Sequence, residues 1–349
     1  MILPLHILCA QRSPPPVYGG RRERKHCTRK DPIMLYTRSI PCLDLTQIAC
    51  SGQCFRMHPL PRTAFSREIP DADQGFRIIS RGRVLFVFQK EHSLSFLCPE
   101  EALEDWLAYL DADRDYQEII ESVDPKDAYL TAAAQAGSGI RILNQDPWEM
   151  IITFLISQQK TIPAIQSLVE ALCRTYGRSI SPSEISCPIS VSEKLYSFPA
   201  PEELARASLE ELQAMKLGYR AKYIHRICRD ACSGSLDLAS LTQMDYDEAM
   251  AYLTGFYGIG KKVANCICLF GLHHIGAFPV DTWIEKILME HYYSKRKYRR
   301  TPKARLMDQM VQDHFGKYGG SAGIMQQYIF YYERLQQGKI RSRRPGEMI

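Results

Sequence analysis

Around residue 98 the hydrophobic pattern changes period, and that change limits the fold more than any single motif does. Between Met34 and about Cys98 the runs FRIIS, RVLFVFQ and LSFLC have strand length and strand composition, and Arg81-Gly82 between the first two is a turn candidate. From PEEALEDWLAYL onward apolar residues recur at helical spacing almost to the end. Helices are expected at DPWEMIITFLISQQ, IPAIQSLVEALCRTY, SLEELQAM, RAKYIHRICRDAC, YDEAMAYLT, KKVANCICLFGL, DTWIEKILMEHY and GIMQQYIFYYERL. The class is therefore α+β, with an N-terminal antiparallel β-rich lobe leading an all-helical body. The expected divisions are a disordered or spurious extension over 1–33, a β-rich domain over 34–125, a helical domain over 126–336 and a basic tail over 337–349.

At 349 residues, 45% hydrophobic and 24% charged, the chain can bury a sizeable core. Its longest apolar runs, such as VLFVF at 84 to 88, fall far short of the roughly 20 residues a membrane span needs, so no membrane association is expected. MILPLHILCA has no basic residue ahead of its apolar run, which weighs against a secretory signal. The twelve cysteines form no CxxC pair and sit in apolar contexts, as reduced thiols in the cytoplasm would. His225, Cys228 and Cys232 share a helix face, but small buried residues explain that face better than a metal does, and no metal site is expected. The net charge of +5 is uneven: KRKYRRTPKAR at 295 to 305 holds seven basic residues and no acid, as a solvated loop or a surface for nucleic acid would.

GFYGIGKKVANC at 255 to 266 matches the start of a phosphate-binding loop through Gly255, Gly260 and Lys261. Lys262 then stands where that loop needs a hydroxyl, and a helical YDEAMAYLT precedes it in place of a strand. Two helices flanking a glycine turn fit better, with Gly258 and Gly260 able to take positive φ and the second helix offering its free N–H groups to a phosphate. Such a contact positions DNA without reading its sequence. Lys262 opens the second helix, where the macrodipole disfavours an ammonium and favours the neutral amine that a nucleophile requires. Asp281, nineteen residues later in AFPVDTWIEKI, fits the N-cap of another helix and also a carboxylate that stabilises positive charge at a reacting sugar. A plain αα-hairpin or a non-catalytic DNA-binding hairpin accounts for the turn alone.

Six ordered blocks extend this reading: SGQCFRM at 51, NQDPWEMIITFLISQQ at 144, LGYRAKYI at 217, GIGKKVANCICL at 258, PVD at 279 and YGGSAGIMQQYIF at 318. From about Leu43 to Tyr332 the sequence resembles the helix-hairpin-helix DNA glycosylases, and within them the 8-oxoguanine DNA glycosylases. The resemblance implies that Lys262 attacks the sugar C1′, that Asp281 assists, and that the Gly52 carbonyl, Cys266, Gln326 and Phe330 surround the extruded base. Gln159 matches the residue that fills the gap left in the duplex, and Tyr219 and Arg220 match residues that wedge and read the opposite strand. Gly258, Gly260 and Lys261 would contact the DNA backbone.

Two positions depart from the pattern. Ala164 stands where eukaryotic-type members carry an arginine directed at the orphaned cytosine, and Trp283 stands where they usually have histidine. No cysteine follows Asp281, which excludes the iron–sulfur loop of the endonuclease III branch, so no cofactor is expected. The expected activity is removal of 8-oxoguanine from damaged double-stranded DNA with associated strand cleavage, by a monomer located in the cytoplasm with DNA, or in a eukaryotic nucleus. A monofunctional alkylated-base glycosylase is the alternative enzyme, although it has no need of Lys262.

Overall fold

The computed structural model describes residues 33–180 and 194–340. Residues 1–32 and 341–349, which hold most of the expected extension and tail, lie outside the described residues, as do residues 181–193.

Strands β1 (Ile33–Ser39), β2 (Met57–Pro59), β3 (Gln74–Ser80), β4 (Arg83–Lys90) and β5 (Ser93–Pro99) form one antiparallel sheet in the order β1-β5-β4-β3-β2. Ser80 pairs with Arg83, so Arg81 and Gly82 make the turn between β3 and β4. Alternation along β4 sends Leu85 and Val87 into a core with Trp106 and Leu143, and Phe86 and Phe88 to the opposite face against Phe65 and Ala72. One α-helix, Leu45–Cys50, and a 3-10 turn, Arg62–Ala64, interrupt the strand region; Asp44 fixes the start of the α-helix by accepting from the Gln47 N–H at 2.8 Å.

Among the described residues, the C-terminal body is helical except for one short ladder, Ser179–Ile180 against Leu195–Tyr196. Its central helix is Pro147–Ser157, with Asp146 accepting from the Glu149 N–H at 2.9 Å and proline in the first turn. Every residue of that helix except Ser157 is buried, as a helix apolar on all sides must be. It packs against the Ile162–Tyr176 and Lys261–Phe270 helices, while Ala128–Ala136 packs on Ala322–Gln336.

Two buried polar side chains join sheet and body. The Arg141 guanidinium donates to the carbonyls of Pro41 and Cys42 and lies 4.4 Å from the Tyr116 ring centroid. Gln53 donates to the Arg141 carbonyl at 2.9 Å and accepts from the Leu143 N–H at 2.8 Å. A buried polar group without such partners would cost about 1–3 kcal/mol, so these bonds fix where the chain around Gly52 meets the helices.

Candidate active site

The hairpin is formed by the helices Tyr246–Thr254 and Lys261–Phe270. Gly258 has φ +93, and a Cβ there would lie 2.4 Å from Tyr223 Cγ, so the turn closes on a tyrosine ring that excludes any side chain. Gly260 differs from expectation. It is the N-cap of the second helix with φ −90 and ψ 176, so it needs no left-handed conformation. Its role is different: the cap has no side-chain hydrogen bond and nothing lies within 4 Å of a Cβ placed there, which leaves the first-turn N–H groups free for an outside acceptor.

Lys262 lies in the first turn of that second helix, half-buried. Its Nζ is 3.4 Å from Ser157 Oγ and 5.5 Å from the Phe154 ring centroid. Cys266, one turn on, is buried; desolvation pushes its thiol up, while the Lys262 ammonium and its hydrogen bond pull it down and Asp281 adds a smaller push upward. Lys262 and Asp281 both lie within electrostatic reach of the Cys266 thiol. Asp281 caps the Thr282–His291 helix through Oδ1, which accepts from the N–H groups of Trp283 at 3.0 Å and Ile284 at 2.8 Å. Both bonds use one oxygen, leaving Oδ2 outside the cap.

Gly52 and Phe330 also meet. Gly52 has φ +79, and a Cβ there would lie 3.2 Å from Phe330 Cε1 and 3.0 Å from Ile162 Cδ1. Arg334 steadies this corner by donating to the Cys50 carbonyl at 2.6 Å, with its guanidinium 5.6 Å from the Phe330 ring centroid. Gln326 lies one turn before Phe330 on the same helix, is buried, and accepts from Gln327 at 2.9 Å. Phe55, in the same block as Gly52, packs edge-on to Phe154 at 6.3 Å, and Phe154 in turn underlies Lys262.

Residues 36–151 match the family model described as 8-oxoguanine DNA glycosylase, N-terminal domain, and residues 152–310 match the HhH-GPD superfamily base excision DNA repair protein model. The solved structure of MBOgg1 in complex with a low-affinity DNA ligand is 30% identical with a TM-score of 0.75, over 88% of this chain and 98% of that one. The chain belongs to the 8-oxoguanine DNA glycosylase family. The Clostridium acetobutylicum 8-oxoguanine glycosylase/lyase, solved with double-stranded DNA containing cytosine opposite 8-oxoguanine, is 26% identical with a TM-score of 0.73, over 88% of this chain and 99% of that one. An N-glycosylase/DNA lyase of Saccharomyces cerevisiae is 32% identical over 221 residues, which are 56% of this chain and 57% of that protein, so the match spans little more than half the yeast relative's length.

Within this glycosylase fold the remaining predicted residues fall in different settings. Gln159 is exposed directly after the central helix, with φ +52, a conformation rare outside glycine. Tyr219 is 42% exposed and stacks edge-on to Tyr223, which stacks in the same way on Tyr257. Arg220, assigned with Tyr219 to the opposite strand, is 5% exposed and donates to the carbonyls of Gln158 and Leu217. A buried guanidinium must find acceptors inside the protein, and the end of the central helix provides one. Lys261 pairs with Asp308 at 2.5 Å, and Trp283 lies beneath Lys339, whose Nζ is 3.4 Å from its ring centroid.

Lys261 and Lys262 line a cavity of about 800 Å³ together with Asn265, Phe278 and Asp308, but Gly52, Cys266, Gln326 and Phe330 are not among its walls. The basic run at 295 to 305 is not a plain loop: Lys295–Tyr298 is helical, Lys303 opens another helix, and Lys297 pairs with Asp313 at 2.9 Å. Sequence reasoning missed Ser157, Gln158, Tyr223 and Asp308. Nothing local marks them, because each meets the site through a partner distant in the chain.

Proposed function

We propose that the protein is a bifunctional DNA glycosylase and lyase that extrudes 8-oxoguanine from duplex DNA, excises it through a covalent Lys262 intermediate, and then cleaves the strand by β-elimination. The observation that carries this reading is the placement of Lys262 in the first turn of one helix and Asp281 at the N-cap of another, both within electrostatic reach of buried Cys266. In the excision step the Lys262 lone pair attacks C1′ while the carboxylate of Asp281 steadies the positive charge that grows on the sugar. Rate comes from holding lesion, amine and carboxylate together. Gly52, Cys266, Gln326 and Phe330 hold the flipped base, with Phe330 offering its ring for stacking.

The free N–H groups after Gly260 bind a DNA phosphate, assisted by Gly258 and Lys261, and the exposed basic residues between 295 and 305 add an electrostatic, salt-sensitive attraction. Gln159 fills the space the lesion leaves, and Tyr219 wedges the opposite strand. Arg220, beside it, is assigned to read that strand, and its guanidinium also holds the Gln158 carbonyl. The same reading divides the chain into a β-rich domain over 34–125 and a helical domain over 126–336, between the extension and tail set out above. The enzyme is read as a monomer that needs no metal, and the lack of any cysteine after Asp281 in the sequence argues against the iron–sulfur loop of the endonuclease III branch. It works where DNA is, in the cytoplasm or a nucleus; among the described residues no helix is long and apolar enough to cross a membrane.

Borohydride added during turnover on a duplex containing 8-oxoguanine tests the assignment, because it reduces the Lys262 imine and leaves protein joined to DNA. Lys262→Gln should lose the adduct and the strand cut while still binding the lesion, and Lys261→Gln should bind more weakly but still be trapped. Trapping that survives in Lys262→Gln, or is lost only in Lys261→Gln, assigns the wrong lysine.

A further inference from the structure

We infer that Ser157 is a positioning residue for the Lys262 amine, an inference that rests on Lys262 being the nucleophile. Ser157 Oγ lies 3.4 Å from Lys262 Nζ, within reach of one N–H of the amine. The hydroxyl proton is already committed, because Ser157 donates it to the Phe154 carbonyl at 2.8 Å. Ser157 therefore meets Lys262 as an acceptor. The Phe154 ring, with its centroid 5.5 Å from Nζ, closes a second side of the amine.

The backbone makes this acceptor rigid. Ser157 is the last residue of the Pro147–Ser157 helix, whose other residues are all buried, so its Cα is set by the core. Directly beyond it the chain leaves the helix, with ψ 118 at Gln158 and φ +52 at Gln159. The hydroxyl thus stands on the final turn of a fixed element, between the core and the loop proposed to enter the duplex.

A neutral amine carries two N–H groups and one lone pair. Holding one N–H on Ser157 limits rotation about the last side-chain bond, and a near-attack geometry depends on that restriction. In the step itself the Lys262 lone pair forms the N–C1′ bond while the electron pair of the C1′–base bond departs with the base. The nitrogen then sheds one proton and the base takes one up, so charge and atoms balance, and the Ser157 contact is kept throughout.

Single-turnover excision and equilibrium binding, measured side by side on a duplex containing 8-oxoguanine, test the inference. Ser157→Ala should slow excision about tenfold, the equivalent of one hydrogen bond of ordinary net strength, with duplex affinity and melting temperature unchanged. Ser157→Thr keeps the hydroxyl and should recover most of the rate. An alanine variant that excises at the wild-type rate overturns the inference, and so does a slow variant whose loss tracks affinity or melting and is not rescued by threonine. A wild type that gives no borohydride adduct overturns the reading of Lys262 itself, whereas a wild-type adduct beside an unimpaired Ser157→Ala overturns the role of Ser157 alone.

Discussion

The Gln158 carboxamide donates to the Gly258 carbonyl at 3.2 Å, tying the loop after the central helix to the turn of the hairpin. The Gln158 carbonyl in turn accepts from Arg220 Nε at 2.7 Å. The loop that carries Gln159 and the turn that presents free N–H groups are therefore linked through Gln158. Gln158→Ala should weaken lesion-duplex binding several-fold, a loss within the roughly 0.5–1.5 kcal/mol of one net hydrogen bond. Arg220→Ala should also lower the melting temperature, since leaving buried carbonyls unpaired costs about 1–3 kcal/mol. An Arg220→Ala protein that melts with wild type and loses only base discrimination would mean the arginine turns outward to read DNA.

The two hairpin glycines should respond differently to alanine. At Gly258 the new methyl group meets the Tyr223 ring at 2.4 Å on a backbone with φ +93, so Gly258→Ala should cost at least about 1–3 kcal/mol and abolish tight binding. Removing the ring in Gly258→Ala/Tyr223→Ala should recover part of that loss, because the clash goes and the backbone strain stays. Gly260→Ala has open space and φ −90, and should fold almost as wild type does. Equal melting temperatures for Gly258→Ala and Gly260→Ala would refute the packing argument.

Charge and cap separate at Asp281. Asparagine retains an oxygen for the Trp283 and Ile284 N–H groups, so Asp281→Asn should melt near wild type while excision slows by about 10²–10³-fold, the usual size of a lost electrostatic contact to a transition state. Asp281→Ala should add a stability loss of about 1 kcal/mol. Excision in Asp281→Asn at the wild-type rate would reduce the residue to its cap.

Stability should also depend on pH through Glu149, a buried carboxyl away from the reacting lysine. Burial pushes it up to about 8 from an ordinary 4.5, with Asp146 and Glu170 adding to the push against the pull of Arg56. A raised carboxyl binds its proton more tightly in the folded state. Its contribution is fully present below about pH 4.5 and is lost as pH rises through about 8. Thermal melts across that window should fall with pH more steeply for wild type than for Glu149→Gln, which does not titrate there. Parallel curves would show that Glu149 is not the group responsible.

Ala164 bears on the choice of opposite base. Without a guanidinium at this half-buried position, discrimination among bases opposite the lesion should be weak. Ala164→Arg should sharpen the preference for cytosine by about 1–3 kcal/mol, the worth of one bidentate contact. Excision confined to lesion–cytosine pairs in the wild type would contradict this.

Much of the fold lies in the sequence because its signals act over a few residues. The change of period near residue 98 separates sheet from helices, and YDEAMAYLT and RAKYIHRICRDAC form the helices expected of them, Tyr246–Thr254 and Arg220–Cys232. The caps are local as well: Asp281 and Asp146 each bond N–H groups within three residues. The end of the central helix is not local. DPWEMIITFLISQQ reads as helix through both glutamines, yet the helix stops at Ser157, where Arg220 takes the Gln158 carbonyl.

The partners of the candidate site were decided by packing alone. Lys262 meets Ser157 across 105 residues, and Lys261 meets Asp308 across 47. Propensity and periodicity specify which face of a helix is apolar, but the rotation and depth at which two helices lock come from how their side chains interdigitate in a close-packed core. A motif of adjacent letters such as GKK can therefore name a candidate nucleophile. Which hydroxyl, ring or carboxylate stands beside it follows only once the helices from distant parts of the chain have packed.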